Sequence, residues 1–241
     1  MKHIESTSHT LVKHWVRLQN DKAYRQATGK VLVEGKNLLH DLIARHRPLA
    51  LIVTERQRPF FTNFSGEVIT ISDHVASKIS SVEHPEGCYA EYSMPAVLPQ
   101  PQAQRTVILD GLQDPGNVGT IFRTCLAFDI RSIGLVEPCC DPWNPKVVRA
   151  AKGAMFDLTI TPCLWSHCDA DPPLLVADPR GMDIRQLPPC SAWRLVLGNE
   201  AHGHRVPPTL HPIHVKIPMP GPMESLNVAQ AGAILLYALV P

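Results

Sequence analysis

Three separated segments in the C-terminal half hold the side chains that could do chemistry: Leu109–Arg123 (LDGLQDPGNVGTIFR), Leu195–Gly203 (LVLGNEAHG) and Ile217–Val228 (IPMPGPMESLNV). They supply a guanidinium at Arg123, a carboxylate at Glu200, a hydroxyl at Ser225 and amides at Asn117, Asn199 and Asn227. In each segment Gly, Pro, Asn, Ser or Glu follows directly on a short β-branched apolar run. That is where a strand ends and the next loop can turn hydrogen-bonding groups toward a ligand.

Each residue also has a structural reading. Asp114-Pro115-Gly116-Asn117 is a turn by propensity, and Asn117 suits the cap of the following helix. Arg123 stands about one and a half turns into that helix, among Ile121, Phe122 and Leu126, where the macrodipole prefers anions. It therefore faces a phosphate or carboxylate, or else makes a surface salt bridge. Gly198 permits close approach of backbone to ligand. Glu200 orients a donor group, pairs with an arginine, or is an exposed loop carboxylate. Pro218, Pro220 and Pro222 stiffen the third loop, and Ser225 or Asn227 starts a helix there.

Other chemistries are excluded or weak. Gly111, Gly116 and Gly119 do not form the G-x-G-x-x-G dinucleotide pattern, and Gly29-Lys30 is followed by Val31, so no P-loop exists. His202 and His204 flank Gly203 without a third ligand type nearby. Cys163, His167 and Cys168 lack a CxxC pair and read as buried or loop thiols, so no metal is expected.

The elements that must position these residues alternate. Thr106–Leu109, Ser132–Val136, Leu158–Ile160, Leu174–Ala177, Leu195–Leu197 and Val215–Ile217 read as strands. Val118–Phe128, Pro145–Gly153 and Leu226–Leu239 read as helices. This alternation predicts an α/β domain with a mostly parallel sheet, whose ligands sit beyond the carboxyl ends of the strands. The last helix is apolar nearly all round and must be covered on more than one side, by the core or by a second subunit.

Ahead of it, residues 10–28 predict an amphipathic helix in which Trp15 is core. Val31–Val33, Leu49–Val53, Val68–Ile71 and Cys88–Tyr92 predict strands, with helices over Gly35–Ala44 and Asp73–Ser80. We expect a small α/β domain over 1–95, a proline-rich linker over 96–105 and the larger domain over 106–241.

Composition agrees with a globular protein, since 44% of residues are hydrophobic and 19% charged. Net charge is only +1, against indiscriminate coating of nucleic acid. The charge is uneven, however: residues 1–58 hold six Arg and five Lys against two Asp and three Glu. That basic front meets phosphate or forms a solvated face. Seven cysteines without framework spacing fit a reduced setting, and the polar start MKHIESTSHTLVKH lacks a signal-peptide core, so the expected location is cytoplasmic.

Taken together, the three segments resemble the signature motifs of the SpoU (TrmH-like) branch of the SPOUT RNA methyltransferases. The resemblance runs through Asp114-Pro115-Gly116-Asn117-Val118-Gly119 with Arg123-Thr124, Gly198-Asn199-Glu200 with Gly203, and Ile217-Pro218-Met219 with Gly221 and Glu224-Ser225-Leu226-Asn227-Val228. Ala201 stands where the family commonly has Gly. Pro145, Arg149-Ala150 and Gly153-Ala154 resemble a further family segment, with Lys152 replacing a small residue. The match covers residues 106–241. Residues 4–92 resemble, more loosely, the small RNA-binding domain of many members, through Lys13, Arg25, Val33–Gly35 and Pro85–Tyr92.

The resemblance implies a trefoil-knotted, mostly parallel-sheet domain preceded by a small α/β RNA-binding domain, in a homodimer joined through the knot region and last helix. It implies S-adenosylmethionine as cofactor, held by Leu197, Gly198, Asn199, Gly203, Ile217, Met219, Ser225, Leu226 and Asn227. The implied reaction is methylation of a ribose 2′-hydroxyl in structured RNA, 23S rRNA ahead of tRNA. Arg123, Asn117, Glu200, Ser225 and Asn227 would be catalytic, with Arg123 gripping phosphate rather than acting as base. Lys13, Arg17, Lys22, Arg25, Arg123 and Arg149 would contact RNA. A non-catalytic RNA-binding protein that kept the fold is the competing reading, and an unrelated small-molecule α/β enzyme the third.

Overall fold

A computed structural model describes residues 2–96, 104–169, 171–199 and 203–240. In chain order the elements are β1 (Lys2–Ile4), α1 (Thr10–Asn20), α2 (Lys22–Thr28), β2 (Lys30–Glu34), α3 (Lys36–Ile43), β3 (Ala50–Thr54), β4 (Val68–Ile71), α4 (Asp73–Ile79) and β5 (Cys88–Ser93). There follow β6 (Arg105–Asp110), α5 (Pro115–Ala127), β7 (Ser132–Val136), α6 (Pro145–Ala150), β8 (Thr159–Pro162), β9 (Leu174–Asp183), β10 (Trp193–Gly198), β11 (Ile213–Lys216) and α7 (Val228–Leu239). They pack as two units, Met1–Pro95 with Trp143–Phe156, and Ala96–Pro142 with Asp157–Pro241. Most of the linker expected over 96–105 lies outside the described residues.

The first unit holds a mixed sheet in the order β1-β4-β3-β5-β2, with β5 antiparallel to both neighbours. The helix expected over 10–28 is two helices. Asp21 leaves the helical region at φ −120° and its carboxylate accepts from the Tyr24 backbone N–H at 2.9 Å, capping α2. Val12, Trp15 and Leu18 share one face of α1 and are fully buried, with the Trp15 indole N–H donating to Glu91 at 3.1 Å. The edge strand β1, too short to show a sequence period, pairs in parallel with β4. Trp143–Phe156 pack with this unit rather than following the sequence division, because the Phe156 ring lies 5.0 Å from Tyr92 and 5.6 Å from His46.

The second unit is a six-stranded, wholly parallel sheet in the order β11-β9-β10-β6-β7-β8. Val107–Leu109, Leu174–Val176 and Leu195–Leu197 are buried without alternation, as strands covered on both faces must be. Helices α5 and α7 lie side by side and run the same way. Asn227 donates to Asn117 at their amino ends, and the Tyr237 and Phe128 rings lie 6.5 Å apart at the other. Gly232 lets α7 sit down on β10, since a Cβ there would meet Leu197 at 2.9 Å. The outer side of α7 stays open: Ile234 is 42% and Tyr237 76% exposed.

Candidate active site

Strands β6, β10 and β11 deliver the three chemistry-bearing segments to one edge of the parallel sheet. Leu109 and Asp110 pair in register with Leu197 and Gly198, so the first two segments leave side by side. Sequence propensity offered Asn117 as the cap of α5. The cap is Asp114, whose carboxylate accepts from the Asn117 backbone N–H at 2.7 Å. Three residues further in, Asn117 instead accepts through its side-chain oxygen from Asn227, at 2.9 Å. Asn227 itself caps α7, accepting from the N–H groups of Ala229 at 3.0 Å and Gln230 at 3.3 Å.

The second segment is held by backbone. Asn199 and Gly203 exchange N–H···O bonds of 2.9 and 2.8 Å, and the Asn199 amide donates to the Gly111 carbonyl at 3.0 Å. Gly198 has no room for a side chain, because a Cβ would stand 2.7 Å from the Gly203 carbonyl. Beneath it, the fully buried Asp110 carboxylate accepts from the Arg205 guanidinium at 2.9 and 2.5 Å and from the Arg205 N–H at 2.5 Å. A buried carboxylate needs such partners. Sequence reading passed over this pair, although an Asp ending the apolar run TVIL was the available signal.

A cavity of about 190 Å³ lies between these segments. Leu197, Gly198, Asn199, Gly203, Ile217, Met219, Ser225 and Leu226 line it, while Asn227 stands outside, engaged with Asn117. Ala177, Asp178 and Pro179 of β9, Val215 and Lys216 of β11, and Val228, Ala231 and Leu235 of α7 complete the wall, and none of these was anticipated. Asp178 is a nearly buried carboxylate in a wall that is largely apolar apart from Asn199, Lys216 and Ser225. Burial raises its pKa, but hydrogen bonds from the Arg180 N–H and guanidinium and from His214 outweigh that and hold it below the usual carboxylate range.

His204 and His214 gather with Asp178, a grouping the sequence did not offer when it set the His202–His204 pair aside; His202 lies outside the described residues. Burial, then the neighbouring His214, pushes the His204 imidazole below its ordinary value. The slot combines backbone edges, apolar walls and one carboxylate. It suits a flat heterocycle attached to a polar, partly cationic group.

Arg123 is not part of this wall. It is exposed on α5 and makes no hydrogen bond or ion pair among the described residues. Six residues beyond Asn117, it points about 120° away around the helix, on a stripe with Thr120 and Ala127. The apolar surroundings that Ile121 and Phe122 suggested are theirs alone, on the buried face. Glu200 lies outside the described residues.

Of the residues expected to meet RNA, Lys13, Arg17 and Lys22 are exposed, and Arg17 lies over the Tyr24 ring at 3.7 Å. Arg25 requires correction. It is 4% exposed, and its guanidinium donates to the Leu18 and Gln19 carbonyls at 2.7 and 3.2 Å, closing the end of α1. Arg149 is half-buried and donates to Ser81 at 2.5 Å.

Comparison with known proteins matches residues 104–237 to the SpoU rRNA Methylase family and residues 9–90 to the MRM3-like substrate binding domain. The chain is 29% identical to a Bacillus subtilis 23S rRNA (guanosine(2553)-2′-O)-methyltransferase, RlmP, over 99% of both chains. It is 30% identical to an uncharacterised tRNA/rRNA methyltransferase of Synechocystis, covering 97% of this chain and 92% of the other. The solved structure of an AdoMet-bound rRNA methyltransferase from Sinorhizobium meliloti superposes with a TM-score of 0.80 at 25% identity, covering 99% and 97% of the two chains.

Proposed function

The chain belongs to the SpoU rRNA Methylase family, and from that premise we propose that it methylates a ribose 2′-hydroxyl of 23S rRNA using S-adenosylmethionine. The observation that carries the reading is the cavity at the carboxyl edge of the parallel sheet, where the tight Gly198–Gly203 approach and the paired Asn199 expose main-chain edges. Those edges suit an adenine. Leu197, Ile217, Met219 and Leu226 sandwich apolar surface, and Asp178 offers a carboxylate to hydroxyl or amino groups. When bound, the cofactor supplies an already activated methyl group.

The protein's own task is alignment, exclusion of water and help with loss of the hydroxyl proton. A guanidinium stays protonated at neutral pH, so Arg123 acts by gripping the phosphate next to the target ribose and stabilising the developing alkoxide. Water or phosphate accepts the proton. Asn117, fixed by Asn227, and Ser225 present polar groups beside this path, and Glu200 orients Arg123 or the substrate.

We infer a homodimer through the open side of α5 and α7, where Ile234 and Tyr237 are exposed. Among the described residues Arg123 has no polar partner and no place in its own chain's cavity wall, which fits delivery to the cavity of a second copy. The trefoil knot and a cytoplasmic setting are inferred with the family, and the first unit is assigned RNA affinity through Lys13, Arg17 and Lys22.

Transfer of tritiated methyl from S-adenosylmethionine to a 23S rRNA transcript and, in parallel, to unmodified tRNA, followed by alkaline hydrolysis, tests this. A labelled, alkali-resistant dinucleotide is expected, since a 2′-O-methyl group blocks cleavage. Label confined to tRNA, or to alkali-released mononucleotides, would overturn it.

A further inference from the structure

Between β3 and β4 the first unit carries ERQRPFFTNFSGE, residues 55–67, a stretch that gives the core only Phe61. Of its three phenylalanines only Phe61 is buried. Phe60 is 50% exposed, on a 3-10 turn (Arg58–Phe61) opened by Pro59, and Phe64 is half-buried. A cavity of about 360 Å³ opens here, walled by Ile43, Phe60, Phe61 and Phe64, with Asn63 and Arg47 among the polar residues.

The groups around it are arranged for stacking and for anions. The His40 ring stacks on Phe61 with centroids 4.7 Å apart and planes 10° from parallel, and the Lys36 ammonium sits 3.0 Å from the Phe60 ring centre. Arg47 and Arg56 are exposed, and neither they nor the Asn63 amide makes a hydrogen bond or ion pair among the described residues. Residues 36–66 hold five Lys and Arg against only Asp41 and Glu55. An apolar peptide would have no use for these cations. An unpaired nucleotide uses all of it: an aromatic face for the base, an amide that both donates and accepts for its edge, and a guanidinium for phosphate.

We propose that this pocket holds one unpaired nucleotide of the RNA, its base stacked on Phe60 and its phosphate on Arg47. The proposal rests on the RNA-methylation reading and adds a site that the basic residues of α1 and α2 do not provide.

The test uses the full chain and a fluorescein-labelled single-stranded RNA of about 12 nucleotides, alone or annealed to its complement. By anisotropy, Phe60→Ala should raise the single-strand Kd about 5- to 100-fold, and Phe60→Trp should restore it. Arg47→Ala should reduce the slope of log K against log salt by about 0.7. Duplex binding, and cofactor affinity by calorimetry, should not change. Wild-type affinity in Phe60→Ala, an equal loss on duplex, or failure of Phe60→Trp to restore binding would overturn the pocket. If the wild type methylates 23S rRNA while Phe60→Ala binds and methylates as well, this inference alone falls. If the wild type binds no RNA, the inference falls together with the functional reading.

Discussion

The two sheets of this molecule carry their ligand-facing groups in opposite ways. In the parallel sheet of the second unit, the polar edge at the end of β10 is main chain, fixed by Gly198 against Gly203 and by the Asn199–Gly203 and Asn199–Gly111 bonds. In the mixed sheet of the first unit, the recognition groups are exposed side chains on two connecting segments, Arg47 before β3 and Phe60 and Asn63 after it. A main-chain site is rigid and reads a constant ligand. A side-chain site on a loop can be altered residue by residue without disturbing the core, which suits a variable RNA. The comparison predicts that the two functions separate cleanly by mutation.

The sharpest break would come at Arg123. Arg123→Ala is expected to lower methyl transfer about 10²- to 10³-fold while leaving cofactor affinity within about twofold, measured by single-turnover assay and calorimetry. Loss of cofactor binding in that variant would place Arg123 in the cavity after all. Next is Asp110→Asn, which leaves Arg205 without its buried partner; a loss of about 3 kcal/mol in urea unfolding is expected, with weaker cofactor binding.

Gly198→Ala forces a Cβ onto the Gly203 backbone and should cost about 1–3 kcal/mol, with cofactor affinity falling and RNA affinity retained. In the first unit, Arg25→Met removes two hydrogen bonds to the end of α1. A cost of about 1.5–3 kcal/mol is expected with cofactor affinity unchanged, and RNA affinity should then track folding rather than charge. Selective loss of RNA binding at full stability would return Arg25 to the RNA-contacting set.

The smallest effect is pH-linked. His204 has its folded pKa below the ordinary 6.5, so it is neutral where the unfolded chain has begun to take up a proton. Its contribution is therefore complete above about pH 6.5 and lost as pH falls from there through the folded pKa. Wild type should lose more stability than His204→Gln between about pH 7.5 and 5.5. Equal losses would remove His204 as the cause.

Much of the parallel sheet was legible because its strands are uninterrupted apolar runs that end in Gly, Asn or Asp, and eight residues named from motif wording line one cavity. The errors share a cause. Asp114 took the cap expected of Asn117, since a side chain just before the helix reaches the N–H three residues on. Arg25 looked like a surface cation until the turn at Asp21 folded it over the end of α1. Asp178 and His214, 36 residues apart, meet only because β9 and β11 are neighbours in the sheet.

Local pattern by itself determined which segments are strands, where their loops begin and what chemical groups those loops carry, because period, turn propensity and residue type act over a few neighbours. Tertiary structure alone decided which groups meet. It set Asn117 against Asn227 across 110 positions and Asp110 against Arg205 across 95, and it left Arg123 out of the described wall of its own cavity. Pairing at that distance depends on strand order and helix rotation, and neither leaves a local trace in the chain.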